Sequence, residues 1–160
     1  VLGDYGPSEV IGGFARLDRT LVTAEVAQII RGRLWADQVL LSADLSWTGI
    51  HDTPGGGEPP LTSEDEDSWG YRVQAVASYS GFFGGITLVP FVSFSHDFDG
   101  TTPAPVSTFV EDRKNFTMGV RAVYINRLVG EVRYSGFSGG GRANTLRDRD
   151  YLRFQLSYYL

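Results

Sequence analysis

The chain has 160 residues, 42% of them hydrophobic, and a formal net charge of -5 at neutral pH. This length suits one domain spanning residues 1–160, and the negative charge argues against nucleic acid as a partner, because phosphate binding needs a clustered basic surface. No run of 18 or more apolar residues occurs, which excludes a transmembrane helix. The 20 glycines and the 13% aromatic content favour turns and strands over helices.

Alternation of apolar and polar residues predicts seven strands of about ten residues, the length that a tilted strand needs to cross a bilayer. The alternation is cleanest over residues 36–50. Residues 1–13 are predicted to form a loop or a partial strand. In chain order, the predicted strands cover about residues 14–30, 36–50, 69–80, 86–94, 116–124, 130–135 and 151–160.

The connections between these strands alternate between short turns and long polar loops. The short turns lie near residues 31–35, 81–85 and 125–127, and the long loops span residues 49–68, 97–114 and 136–150. In outer-membrane barrels the short turns face the periplasm and the long loops face outward. A soluble β-sandwich would also show alternating strands, because its apolar face meets a second sheet.

Aromatic residues favour the barrel over the sandwich, because they collect at the two ends of the strands as interfacial belts do. Residues toward the long loops are Trp47, Trp69, Phe94, Phe116 and Tyr134, and those toward the short turns are Trp35, Tyr79, Tyr124 and Tyr158. The predicted fold is an all-β, antiparallel transmembrane β-barrel with seven or eight strands in this chain.

The odd strand number bears on whether these strands complete a barrel. A complete single-chain barrel has an even number of strands with both ends inside. Either an eighth strand lies within residues 1–13, or the chain is the C-terminal portion of a larger barrel. The second interpretation is preferred, because the sequence begins without Met.

The last predicted strand alternates apolar and polar residues up to the final residue. Its apolar positions are Leu152, Phe154, Leu156, Tyr158 and Leu160. This pattern resembles the C-terminal signature by which the barrel-assembly machinery recognises outer-membrane barrels, although that signature usually ends in Phe rather than Leu. An ordinary amphipathic edge strand is the alternative explanation.

Several motifs resemble a proteobacterial family known as domain of unknown function 1302, with coverage of about residues 16–160. The motifs are Ser-His-Asp at 95–97, Asp-Arg-Lys at 112–114, Tyr-Ile-Asn-Arg at 124–127 and Asn-Thr-Leu-Arg-Asp-Arg-Asp at 144–150. The resemblance implies the last strands of a larger outer-membrane barrel, in envelope proteins associated with hydrophobic compounds such as steroids. It brings no catalytic motif.

Charged residues on the polar faces of the strands are the candidate lumen and selectivity residues, because charges within a membrane span normally line water and pair with one another. They are Asp44, Arg72, Arg121, Glu131, Arg133 and Arg153. A three-residue turn after Tyr124 would set Arg121 directly opposite Glu131. Arg133 and Arg153 would then be less compensated and able to attract an anionic solute.

No pattern supports an enzyme, a metal site or a cofactor. Residues 136–140 match G-x-S-x-G, but that motif needs a strand-to-helix turn, and here it opens a predicted outer loop. His51 and His96 are predicted to be solvated at the long-loop rim. The acidic run at 64–67 lacks the ligand spacing of a calcium loop, and residues 97–100 are assigned to a turn.

The resulting hypothesis is a passive, porin-like channel in the bacterial outer membrane that takes up small lipophilic or amphipathic solutes. Its expected partners are membrane lipid, lipopolysaccharide, the barrel-assembly machinery and a small-molecule solute. The alternative is a structural or export-partner barrel whose loops at 49–68 and 97–114 bind protein or lipopolysaccharide. For the loop at 144–150, packing against its own strands and binding of lipopolysaccharide phosphates both remain open.

Overall fold

The computed structural model of the chain describes residues 18–33, 35–51, 65–82, 84–103 and 108–159. These residues form one sheet of seven antiparallel strands, whose order in the sheet is their order in the chain. Among them no helix is long and apolar enough to span a membrane. The strands are β1 (Arg19–Arg33), β2 (Ala36–Ile50), β3 (Asp67–Phe82), β4 (Ile86–Asp99), β5 (Lys114–Tyr124), β6 (Leu128–Ser138) and β7 (Tyr151–Tyr158).

The predicted all-β, antiparallel fold is confirmed, and β2 has the predicted bounds. The other strands differ mainly at their ends. β4 continues to Asp99, so the assignment of residues 97–100 to a turn is wrong except at Gly100. Residues 1–13 and Leu160 carried predictions that lie outside the described residues, as does any start of β1 before Asp18.

The register gives the sheet two chemically different faces. Because side chains alternate along each strand, residues paired across neighbouring strands share a face. One row on the first face, called the apolar face, runs Val26, Ala43, Val73, Phe94 and Phe116. The adjacent row on the opposite face, called the polar face, runs Glu25, Asp44, Arg72, Ser95 and Asn115.

The turn between β5 and β6 fixes the register in the part of the sheet that carries most of the charge. Three residues, Ile125 to Arg127, connect the strands, and the Arg127 amide donates to the Tyr124 carbonyl at 3.0 Å. Ile125 and Asn126 adopt φ of 47° and 55°, in the left-handed region. Asn adopts this conformation readily and a β-branched residue does not, so Ile125 is strained.

Most of the apolar face is uncovered in the part of the sheet that the structure describes, although Val39 on this face is only 7% exposed. Val26 is 68% exposed and Leu156 is 75% exposed, although both are large and hydrophobic. The few buried hydrophobic residues lie at the two ends of the strands, with Ile50, Phe109 and Val110 near the long loops and Ala36 and Val39 near the short turn before β2. In the described residues β1 and β7 are the two sheet edges, and they do not pair with each other.

Candidate functional site

The polar face carries its most compact charge cluster on β5, β6 and β7. The register sets Arg121 opposite Glu131, as the turn length predicted. Arg121 Nε and Nη2 donate to Glu131 Oε2 at 3.0 and 2.9 Å. Glu131 is 8% exposed and Arg121 is about half exposed, so the pair is partly shielded from water. Hydrogen bonds to charged groups contribute more than neutral ones, about 1.5 to 3 kcal/mol.

Arg133 shares the same carboxylate, which corrects the expectation that Arg133 is poorly compensated. Its Nη2 lies 2.8 Å from Glu131 Oε1. Arg153 sits opposite Arg133 in the register, and its Nη2 donates to Gln155 Oε1 at 2.6 Å. We call Arg121, Glu131, Arg133 and Arg153 the arginine cluster. Three arginines and one glutamate leave two positive charges uncompensated within it.

The part of the polar face on β1, β2 and β3 has a different balance of charge. Glu25 faces Asp44 across β1 and β2, and Asp44 faces Arg72 across β2 and β3. Arg72 Nε lies 3.9 Å from Asp44 Oδ2, and the Arg72 side chain is 61% exposed. A pair this long and this exposed contributes little to stability. The predicted lumen charges therefore form two separate groups: Asp44 with Arg72, whose charges cancel, and the arginine cluster, which carries excess positive charge.

An apolar row on the polar face was missed by the sequence prediction. Pairing across four strands aligns Ile29 with Leu40, Leu40 with Val76, and Val76 with Phe91. The sequence did hold a signal for this row, because adjacent apolar residues within a strand must point to opposite faces. The doublets at 29–30 and 40–41 and the run at 88–92 are such cases.

The apolar row and the arginine cluster meet at Gly119. A Cβ at this position would lie 2.6 Å from Phe91 Cζ, so the glycine leaves the space that the ring occupies. The Arg133 guanidinium lies over the same ring, 5.2 Å from its centroid, in a cation–π contact. A cavity of about 390 Å³ opens beside them, lined in part by Val76, Val89 and Arg121.

The chain after β4 folds back over the long-loop end of the polar face. The described parts of this folded-back segment are residues 101–103 and 108–113. The Phe109 ring occupies the space beside Gly70, where a Cβ would lie 2.6 Å from the ring. At the same end of the face, Thr48 and Ser68 lie opposite each other on β2 and β3 and are fully buried.

Asp97 anchors this segment to β4. Its Oδ2 accepts from the Val110 amide at 3.1 Å and from Arg113 Nε at 2.7 Å. Thr102 and Phe109 close the segment on itself, since the Phe109 amide donates to Thr102 Oγ1 at 2.8 Å. The sequence prediction placed residues 97–114 in an outward loop and did not foresee this packing.

His96 is not a solvated rim residue, contrary to the prediction. Its side chain is 20% exposed, and its ring centroid lies 5.8 Å from that of Tyr71 and 6.4 Å from that of Phe98. Asp112 is the nearest carboxylate, at 3.9 Å. His51 is exposed as predicted and hydrogen-bonds Thr20 Oγ1 at 2.8 Å. Within the described ranges no three His, Cys, Asp or Glu side chains gather as a metal site requires.

The loop after β6 packs against its own strands. Asn144 is buried, and its Nδ2 donates to the Gly139 carbonyl at 3.1 Å. Asp150 accepts from the Tyr134 hydroxyl at 2.6 Å and from the Phe137 amide at 2.9 Å. The two bonds to Asp150 tie the end of the loop to β6, next to the start of β7.

On β7 the predicted insertion residues share the apolar face. Phe154 pairs with Val132, and Leu156 pairs with Gly130. Four of the five predicted residues are described and exposed, and they are Leu152, Phe154, Leu156 and Tyr158. The strand is therefore amphipathic along its described length.

Fold and site together define a single-layer antiparallel β-sheet protein with one apolar face and one charged face. The family model described as "Protein of unknown function (DUF1302)" matches residues 4–160, and the chain therefore belongs to this family. The resemblance noted from its motifs is thus confirmed. Comparison with curated proteins found no match, and comparison with solved structures found none either.

Proposed function

We propose that the chain forms part of a β-barrel in the bacterial outer membrane that acts as a passive channel for small lipophilic or amphipathic solutes. The observation that carries this proposal is the uncovered apolar face on a sheet whose other face is charged. Large exposed apolar surfaces mark contact with lipid or with another protein. A barrel wall has lipid on one side and water on the other, which requires this alternation along every strand.

The dimensions of the apolar face suit the outer membrane. On β3 the aromatic positions Trp69 and Tyr79 are ten residues apart, and on β5 Phe116 and Tyr124 are eight apart. This spacing is roughly 27 to 34 Å along a strand. With a tilt of about 35–45° it corresponds to a band roughly 19 to 28 Å tall, a range that includes the apolar band of such barrels, about 25 Å. A groove of about 420 Å³ near Ala43 and Ala75 would accept an acyl chain.

In this proposal the polar face lines the lumen. Several of its charged residues pair with one another, as charges within a membrane span normally do where they line a watery lumen. The folded-back segment covers the long-loop end of the same face, and it would narrow the mouth of the channel on that side. Selectivity would then depend on the arginine cluster together with Asp44 and Arg72.

The edges of the sheet require partners in the membrane. Unpaired backbone groups in lipid cost several kcal/mol each, so a spanning sheet must close into a barrel. We assign β1 to a contact with further strands of the same, larger barrel, which would also supply the neighbour of β7. The alternating residues of β7 would serve as the insertion signature that the barrel-assembly machinery reads.

Conductance of the full-length protein in planar lipid bilayers tests this function. Single-channel steps are expected, with ion selectivity that shifts when Arg153 is replaced by Glu. Arg142 offers a matched control, because it is an exposed arginine in the loop after β6. Its replacement by Glu should leave the selectivity nearly unchanged. A folded, inserted protein that passes neither ions nor small solutes would rule out the channel.

A second candidate function rests on the loop after β6. This loop is ordered by Asn144 and Asp150, and it exposes Arg142, Arg147 and Arg149. Arginines fit phosphate groups well, so the loop could hold lipopolysaccharide on the outer surface. The protein would then serve as a structural or export-partner barrel. Loss of lipopolysaccharide binding on neutralising these arginines, with no conductance at all, would favour this function.

A further inference from the structure

Arg133 and Arg153 form a like-charge pair on the polar face. They occupy directly opposite positions on β6 and β7. Like charges directly opposite on a sheet are unfavourable. Arg133 is half neutralised by sharing Glu131, while Arg153 has a neutral partner in Gln155. Arg133 Nε is buried and has no acceptor among the described residues. An anionic group placed between the two guanidiniums would relieve the repulsion.

The same register row continues away from these arginines as apolar surface. From Arg133 it passes to Gly119, then to Phe91, Val76, Leu40 and Ile29. Because neighbouring strands lie about 4.8 Å apart, the apolar part from Ile29 to Phe91 is roughly 14 Å long. Gly119 keeps the two parts continuous, since it has no side chain between Phe91 and Arg133.

The rows on either side of this strip are more polar. Toward the long loops the neighbouring row holds Ser42, Gln74, Ser93 and Thr117. Toward the short turns the next row contains Arg121 and Gln155. The strip is therefore cationic at one end, apolar along its length and bordered by hydrogen-bonding groups, with a cavity beside its centre.

We infer that this strip binds an amphiphilic anion, with the carboxylate or sulfate head between Arg133 and Arg153 and the hydrocarbon tail along Phe91, Val76 and Leu40. This inference deepens the proposed function and rests on it, because it names the solute class of the same polar face. The head takes charge-assisted hydrogen bonds from two arginines, and the tail leaves water for the apolar row. A neutral molecule with the same tail lacks the first of these contributions, and a short-chain anion lacks the second.

Calorimetric titration of decanoate into the full-length protein in a nonionic detergent, near pH 8, tests the site. Decanol and butyrate are the ligand controls. Decanoate should bind more tightly than either. R133Q and R153Q should each weaken decanoate binding about tenfold, the size expected for one lost hydrogen bond to a charged group. F91A should weaken decanoate and decanol alike, and R127Q, at an exposed arginine in the short turn after β5, should change neither.

A further variant and a second measurement keep the outcomes separate. If R133Q fails to fold, R133K replaces it as the test variant. R133K retains the charge and should keep most of the affinity for decanoate. Unchanged decanoate affinity in the R133Q/R153Q double variant, or equal affinity for decanol and decanoate, would overturn the site. Conductance of the same preparations isolates the channel: ion flow without decanoate binding rejects this site alone, whereas decanoate binding without ion flow rejects the channel and retains the site.

Discussion

The guanidinium of Arg133 on β6 lies 5.2 Å from the centre of the Phe91 ring on β4, although β5 separates the two strands. Gly119 on β5 makes this approach possible, because it has no side chain to stand between them. Contacts of this kind contribute about 0.5 to 2 kcal/mol, depending on how far they are desolvated. Gly119 therefore allows the apolar row that ends at Phe91 on β4 to contact the charged cluster on β6.

Replacement of Gly119 by Ala should destabilise the protein. The new Cβ would lie 2.5 Å from the Val132 carbonyl oxygen and 2.6 Å from Phe91 Cζ, so both the backbone and the ring must move. Overpacking of this kind costs about 1 to 3 kcal/mol. Gly130 is the matched control, because its nearest atom would be Leu156 Cδ1 at 4.0 Å. Urea unfolding of G119A and G130A in the same lipid measures the difference, and equal stabilities would contradict the close contact.

Neutralising Glu131 should affect both stability and selectivity. E131Q leaves Arg121 and Arg133 without their shared carboxylate in a partly shielded site, at an expected cost of about 1 to 3 kcal/mol. The control is D44N, because Asp44 meets Arg72 at 3.9 Å and the Arg72 side chain is 61% exposed. D44N should change stability by less than about 0.5 kcal/mol. In bilayer recordings E131Q should also shift the reversal potential toward anions, and a shift toward cations would argue against a lumen position.

A feature of this molecule could be predicted from the sequence when it depends on residues that lie close together in the chain. The strands were predictable because alternation is local, and the Arg121–Glu131 pair was predictable because a three-residue turn fixes its register. The row from Ile29 to Phe91 depends on three successive registers. The sequence does not determine these registers, although its apolar doublets indicate that some apolar side chains lie on the polar face. The packing of Phe109 against Gly70 joins two sequence-distant segments and has no local pattern at all.

Asp97 should control the folded-back segment. Its carboxylate accepts from the Val110 amide and from Arg113, and D97A removes both bonds while leaving Arg113 without its acid partner. Release of the segment should raise single-channel conductance, because Phe109 would leave the long-loop end of the polar face. D112N is the control, since Asp112 is 76% exposed, its ion-pair partner among the described residues is His96 at 3.9 Å, and Asn tolerates the φ of 62° at this position. Conductance that falls in D97A would show that the segment does not narrow the path.

A substitution that introduces one arginine on the apolar face tests whether that face contacts lipid or water. Leu41 is 40% exposed, so a protein surrounded by water should tolerate L41R within about 0.5 kcal/mol. In a membrane the same change near the midplane should cost roughly 2 to 4 kcal/mol. S42R is the matched control, because the next residue lies on the polar face and should accept the charge. Reversible unfolding from liposomes measures both variants, and a tolerated L41R would contradict the proposed orientation.

The hydrogen bonds that Asp150 accepts should make the stability of the loop after β6 depend on pH. The Tyr134 hydroxyl and the Phe137 amide both donate to its carboxylate, and they lower the pKa of Asp150 from its ordinary value of 3.8. The folded state therefore releases the proton more readily than the unfolded state. Its stabilising contribution is fully present above the ordinary pKa and is lost as pH falls through the lower, folded value.

The stability difference between the native protein and D150N should accordingly be largest at neutral pH and shrink under strongly acidic conditions. Y134F removes one of the two donors and should reduce this pH dependence without abolishing it, because the Phe137 amide still donates to Asp150. Unfolding midpoints measured for the three proteins across the acid range test the sign. A difference that grows as pH falls would mean that Asp150 is stabilised in its protonated form, which the two donated hydrogen bonds oppose.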